Sequence, residues 1–258
     1  MLQRTQARQP GAFELLPAID LRGGRVVRLA EGDFARETVY GTDPVEVALR
    51  FATAGAHWIH IVDLDGARDG TRRQIEAVAR VVAAVGERVA CEVAGGLRDE
   101  AAVESVLVAG AARAVIGTAA LRDPDLAARL IDRFGADRIA VALDVREGLA
   151  LGQGWVPGAP GVAVEAALTG LSERGAQTFV VTAIERDGLM SGPNLELLGR
   201  MVDLGRGEII ASAGISSFYD IAAVRSVGCV GAVVGRAIYE GRLDLASAIR
   251  TISANRAG

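Results

Sequence analysis

Val93-Ala94-Gly95-Gly96-Leu97 and Ser212-Ala213-Gly214-Ile215 are two versions of one phrase, 118 residues apart (214 − 96 = 118). The same spacing relates Gly117-Thr118-Ala119-Ala120-Leu121 to Gly235-Arg236-Ala237-Ile238-Tyr239, and Arg68-Asp69-Gly70 to Arg186-Asp187-Gly188. Asp20-Leu21-Arg22 and Asp144-Val145-Arg146 lie 124 apart, so a small insertion falls between them. Four matches in one order describe a chain that runs through the same plan twice.

Working outward from the repeat, each half carries four short apolar runs of strand length. They are Leu15–Asp20, Trp58–Asp63, Val89–Ala94 and Ala114–Gly117, then Ile139–Asp144, Thr178–Ala183, Ile209–Ser212 and Gly231–Gly235. The runs are continuous rather than alternating, as for strands buried on both faces. Amphipathic stretches separate them. Asp43-Pro44 and Asp123-Pro124 each place an N-cap before a proline at the first helical position. Ser217 and Asp220 have the spacing of a capping box, with Asp where Glu or Gln is usual. Eight strands alternating with helices suit either a barrel or an open doubly wound sheet. The two-fold repeat favours a closed (β/α)8 barrel of two half-barrels, because separate halves would leave open edges. A length of 258 residues suits that fold.

Composition narrows the function. The net charge of −4 gives no basic footprint, so nucleic acid is not an expected partner. Cys91 and Cys229 sit in apolar runs and read as buried thiols of a reducing cytoplasm. The two histidines lack metal spacing, so no metal site is expected. Residues 1–12 are polar and read as a frayed tail without the apolar core of a signal peptide, leaving one barrel domain over 13–258. The longest uncharged stretch, Gly148–Val164, is broken by Gly and Pro and reads as a loop, not a membrane span. No separate partner domain is visible, so a monomer is expected.

In such a barrel the chemistry lies where strands end. Gly95-Gly96 and Gly117-Thr118 close two strands of the first half; Ala213-Gly214 and Gly235-Arg236 close their counterparts. Glycine lets backbone approach a ligand, and the following helix offers free N–H groups to an anion. Two related pairs therefore suggest two phosphate cradles, although the same glycines also suit tight βα turns. Asp20 and Asp144 end the first and fifth strands on opposite sides of the mouth, and Asp187 follows the sixth. A carboxylate there is costly to bury unless it is paired or used, and facing carboxylates can divide acid and base work. A strand-end Asp can equally cap a loop or pair with Arg, the role expected of Asp63, Asp65 and Asp69. Arg28 lies in what reads as a β-ribbon that can carry its guanidinium over the mouth. Trp155, in a Gly-rich loop, can close over a planar ligand; Trp58 begins a strand and reads as core.

The phrases LLPAIDLRGGRVVRL, HIVDLDGA, AGGLRD, VIGTAAL, ALDVR, ERDG, SGPNLELL, SAGISS and VVGRAIYEG together resemble the histidine-pathway phosphoribosylformimino-aminoimidazole carboxamide ribotide isomerases, from about Glu14 to Ile252. LELLPA, GPNLELL and GISS look closest to the actinobacterial branch, some members of which also isomerise phosphoribosyl anthranilate. The resemblance implies a cofactor-independent Amadori rearrangement of a small substrate with a phosphate at each end. Asp20 would be the base. Asp144 and Asp187 both match positions for the acid; Asp187 is assigned to proton delivery and Asp144 to positioning or a second acid group. Thr182 and Gly188 join the substrate contacts through the family's Thr-Asp-Ile and Asp-Gly-Thr phrases. The chain departs from the pattern at Ala94, Ala183, Leu189 and Ala213, which leaves room for altered substrate preference or rate. Gln153 stands where bifunctional members carry Arg, which disfavours the anthranilate substrate. Three alternatives remain: the bifunctional isomerase, a barrel that binds phosphorylated ligands without catalysis, and the sister cyclase of imidazole glycerol phosphate synthase. The cyclase opens with Cys-Leu-Asp-Val-Lys, where this chain has Ala18-Ile19-Asp20-Leu21-Arg22.

Overall fold

A computed structural model describes residues 13–152, 155 and 160–254. Its strands, in chain order, are β1 (Glu14–Arg22), β2 (Arg25–Ala30), β3 (Asp33–Gly41), β4 (Trp58–Asp63), β5 (Ala90–Ala94), β6 (Arg113–Ile116), β7 (Ile139–Arg146), β8 (Leu149–Leu151), β9 (Gly161–Ala163), β10 (Thr178–Ala183), β11 (Glu208–Ser212) and β12 (Gly231–Val234). Eight of them close a parallel barrel in the order β1, β4, β5, β6, β7, β10, β11, β12, with β12 pairing back to β1. All eight expected runs are these barrel strands. The chain is therefore a (β/α)8 barrel with helices between its strands.

The two halves repeat in backbone detail as well as in sequence. Gly117 (φ −113, ψ −98) and Gly235 (φ −118, ψ −93) take nearly one conformation. Asp99 and Ser217 are matching N-caps, both at φ −148. Asp43 and Asp123 cap their helices as expected, accepting from the Val45 and Leu126 amides. The expected capping box at Ser217 forms only in part. The Ser217 hydroxyl accepts from the Asp220 amide, but the Asp220 carboxylate accepts from the amide and hydroxyl of Ser216 instead of returning to Ser217.

Two apolar layers hold the barrel. One face of each strand packs against the helices, through residues such as Ile19, Ile61, Val93, Ile116, Leu143 and Val181. The alternate residues fill the interior: Leu16, Ala18, Val115, Ala140, Val180, Ile210 and Val233. Strand periodicity carries each interior row upward in steps of two. It leads from Ala18 to Asp20, from Ala140 through Ala142 to Asp144, and from Val180 to Thr182.

Two excursions rise above the barrel. β2 and β3 form the expected antiparallel ribbon on β1. Gly148–Val164, expected as loop throughout, instead contains β8, which pairs antiparallel with β7, and β9, which pairs antiparallel with β8. The backbone groups freed at the end of β7 are satisfied by this short hairpin. Cys91 and Cys229 are free and buried, as expected. No helix among the described residues is long and apolar enough to cross a membrane.

Candidate active site

The interior rows deliver carboxylates to one end of the barrel. Asp20 lies near the end of β1, and the ribbon turns Arg28 back onto it. Arg28 Nη1 stands 2.8 Å from Asp20 Oδ2, with each side chain 11% exposed. Burial pushes the Asp20 carboxyl up, while Arg28 and His60 pull it back toward ionisation. Arg28 faces Asp187 as well. Its Nε is buried without a hydrogen-bond partner among the described residues. A buried guanidinium donor in that position suits an anionic oxygen of a ligand.

Asp187 follows the 3-10 turn after β10. Burial raises its carboxyl to about 6, against the opposing pull of Arg28, and the charges of Asp20 and Asp144 add to the rise. Asp144, near the end of β7, is also pushed up by burial. Hydrogen bonds from the Trp155 indole and the Thr182 hydroxyl oppose this, and so does His60. Thr182 pairs with Asp144 in register. The mouth thus holds three carboxyl groups in unlike surroundings, which is how one site supports an acid and a base together.

Loops from different strands meet over this cluster. The Trp155 ring lies on Gly32 at the ribbon tip, leaving no room for a side chain there. The Glu31 amide donates to the Asp187 carbonyl at 3.1 Å. Gly188, at φ +69, passes so close to the Leu29 carbonyl that a Cβ would stand 2.6 Å from it.

The cradle residues stand at the expected strand ends, but most of their glycines have a further reason for being glycine. A side chain on Gly95 would strike the Asp63 carbonyl, one on Gly96 would press on Gly66, and one on Gly214 would strike the Gly192 carbonyl. At Gly235 the Arg28 guanidinium occupies the space a Cβ would need. Close approach between loops accounts for these residues whether or not a ligand binds. Arg236 is held by Glu240 and by the Gly188 carbonyl, at 3.1 and 2.7 Å. Thr118 shares a surface cleft of about 470 Å³ with Arg98 and Arg122. Asp63, Asp65 and Asp69 are structural, as expected. Asp63 caps a helix turn and also accepts from the amides of Arg73 and Gln74; Asp65 accepts from the Gly23 amide; Asp69 pairs with Arg68 and Arg73.

The departures from the family phrases fall unevenly. Ala183 is buried at the end of β10, Leu189 is exposed, and Ala94 packs on the barrel interior. Gln153 and residues 1–12 lie outside the described residues. Ala213 adopts φ +81 where its counterpart Gly95 has φ +97. A left-handed backbone costs an L-residue about 1–2 kcal/mol, while glycine's extra freedom in the unfolded chain costs about 0.4–1 kcal/mol. Ala213→Gly is therefore expected to stabilise the fold by up to about 1.5 kcal/mol, measured as a higher urea midpoint at unchanged slope.

His60, Glu92 and Arg113 are not among the residues expected from the sequence, where the two histidines bear only on metal binding. The signal was present for two of them: His60 and Glu92 interrupt apolar runs, whereas Arg113 only opens β6. Trp58, expected in the core, is half-buried with the Arg113 guanidinium 4.5 Å from its ring.

Residues 14–244 match the protein family described as "Histidine biosynthesis protein". A protein of Thermomicrobium roseum named 1-(5-phosphoribosyl)-5-((5-phosphoribosylamino)methylideneamino)imidazole-4-carboxamide isomerase is 49% identical over 230 residues, covering 89% of this chain and 93% of that protein. One of the same name from Symbiobacterium thermophilum is 46% identical over 241 residues, 92% and 96% of the two chains. Another, from Geobacillus kaustophilus, is 40% identical over 249 residues, 94% and 98% of the two chains.

Proposed function

The chain belongs to the histidine biosynthesis protein family, and from that membership we propose that it is the aldose–ketose isomerase of that pathway. Its substrate is the phosphoribosylformimino aminoimidazole carboxamide ribotide aminoaldose, which it converts to the aminoketose by an Amadori rearrangement. The observation that carries this reading is the pair Asp20 and Asp187, set about one buried guanidinium, Arg28, at the mouth of the barrel.

Asp187 is the acid. It protonates the ribose ring oxygen as the bond from that oxygen to C1′ breaks, and the adjoining nitrogen lone pair closes an iminium. Asp20 is the base. It removes the C2′ proton, and the electrons of that bond form the enolamine and neutralise the iminium. The enol then loses its hydroxyl proton while C1′ gains one, leaving the ketone. Asp144, held by Trp155 and Thr182, positions the ribose. Protons move but no electrons leave the substrate, so the scheme calls on no cofactor. The relatives' name specifies two phosphoribosyl groups, which supports assigning one phosphate to Gly95, Gly96, Gly117 and Thr118 and the other to Gly188, Ala213, Gly214, Gly235 and Arg236. The reading includes one barrel domain over 13–258, acting as a monomer. Two free buried cysteines support a reducing, cytoplasmic setting.

The test is to supply the purified chain with the aminoaldose and follow formation of the ketose. Turnover is expected, together with rescue of a histidine-requiring strain and no rescue of one that lacks phosphoribosyl anthranilate isomerase. Binding without turnover at high enzyme concentration would sink the proposal.

A further inference from the structure

Three ionisable side chains lie inside the barrel, where this fold normally stacks branched apolar residues. His60, Glu92 and Arg113 are register partners on the neighbouring strands β4, β5 and β6, and all three are buried. His60 Nδ1 lies 2.5 Å from Glu92 Oε1. The other carboxylate oxygen of Glu92 accepts from Arg113 Nε at 2.9 Å and from Nη2 at 2.5 Å. Trp58 covers the far side of the guanidinium. The acid and base scheme uses none of these groups. A buried charged row is costly and adds little to stability over an apolar one, so a role at the mouth is a physical reason for its presence.

The row runs toward the catalytic cluster. His60 pairs in register with Ala18 on β1, one interior step below Asp20, and it pulls the Asp20 and Asp144 carboxyls toward ionisation. Glu92 faces it from β5, and Arg113 on β6 meets it only through Glu92. We propose that Glu92 and Arg113 are positioning residues for the isomerisation, holding His60 with its Nδ1 proton on Glu92 and its Nε2 turned to the mouth. Arg113 keeps Glu92 an anion, and an anionic acceptor requires the proton on Nδ1. The ring then has one orientation and one tautomer beneath the base.

This inference rests on the isomerase reading, and its first test is independent of substrate. The chain has two histidines, the other being the exposed His57, so ¹⁵N spectra with His57→Gln as the assignment control isolate the His60 ring. In the full-length wild-type chain the neutral ring is expected to carry its proton on Nδ1. A proton on Nε2 overturns the proposal, even if Glu92→Gln does not fold. In folded Glu92→Gln the single tautomer should be lost. There kcat should fall about 10–100-fold with KM little changed, as for a misplaced catalytic array, and the acid limb of kcat/KM should shift. Arg113→Lys, which retains the charge, should lose less of the rate than Arg113→Ala. An unchanged pH profile and tautomer, with losses that merely track the folded fraction, would make the row structural only. Inactive wild-type protein with the expected tautomer would count against the isomerase reading and leave the ring geometry standing.

Discussion

Turnover of the aminoaldose is expected to fall about 10²- to 10⁴-fold in Asp20→Asn, the range over which a positioned general base acts. Asparagine keeps the shape of the side chain and can accept from Arg28, but it cannot take the C2′ proton. Two effects on stability oppose each other. The variant no longer buries a carboxylate, whose ionisation burial disfavours, but it leaves Arg28 with Asp187 as its remaining facing carboxylate. The fold should therefore survive and the loss should be one of chemistry. The discriminating measurement is the split between kcat and KM. Asp20 is not among the groups assigned to either phosphate, so KM should change little. Retention of more than about a tenth of the wild-type kcat would remove Asp20 from the role of base.

Much of this site was readable in the sequence because the barrel converts strand ends into active-site positions. Trp58–Asp63 and Thr178–Ala183 are read to the residue, since buried parallel strands are apolar on both faces and stop where polarity begins. Asp20 and Asp144 stand out for the same reason. Pairing across strands was not readable. His60, Glu92 and Arg113 are 32 and 21 residues apart in sequence, and only the register of β4, β5 and β6 brings them together. The ribbon was legible at β2, but the extent of its returning strand β3 was not, because that strand is largely exposed and mixed in polarity. The glycines were ambiguous in a deeper way. Gly95 answers the Asp63 carbonyl and Gly235 answers Arg28, yet a phosphate would demand the same residue. Identity at such a position reports that something comes close, not what it is.

The pH profile should identify the acid. The Asp187 carboxyl lies at about 6 in the free protein, and kcat/KM reports free-enzyme groups. An acid must be protonated to act, so kcat/KM is expected to decline above about pH 6, tenfold per pH unit, as Asp187 ionises. In Asp187→Asn that alkaline limb should vanish and the plateau should drop about 10²- to 10⁴-fold. Stability should move the other way. A carboxyl raised in the folded state contributes stability that is present below its unfolded value near 3.8 and is lost as pH rises through about 6. At neutral pH Asp187 is therefore a liability. Because it is only half-buried, screening reduces the cost to about 1–2 kcal/mol. Asp187→Asn should raise the urea midpoint at pH 7 and leave it nearly unchanged at pH 3. If the alkaline limb persists in Asp187→Asn and disappears in Asp144→Asn, proton delivery belongs to Asp144. The gain in stability on neutralising Asp187 would still hold, since it depends on the burial of the group and not on the proton it delivers.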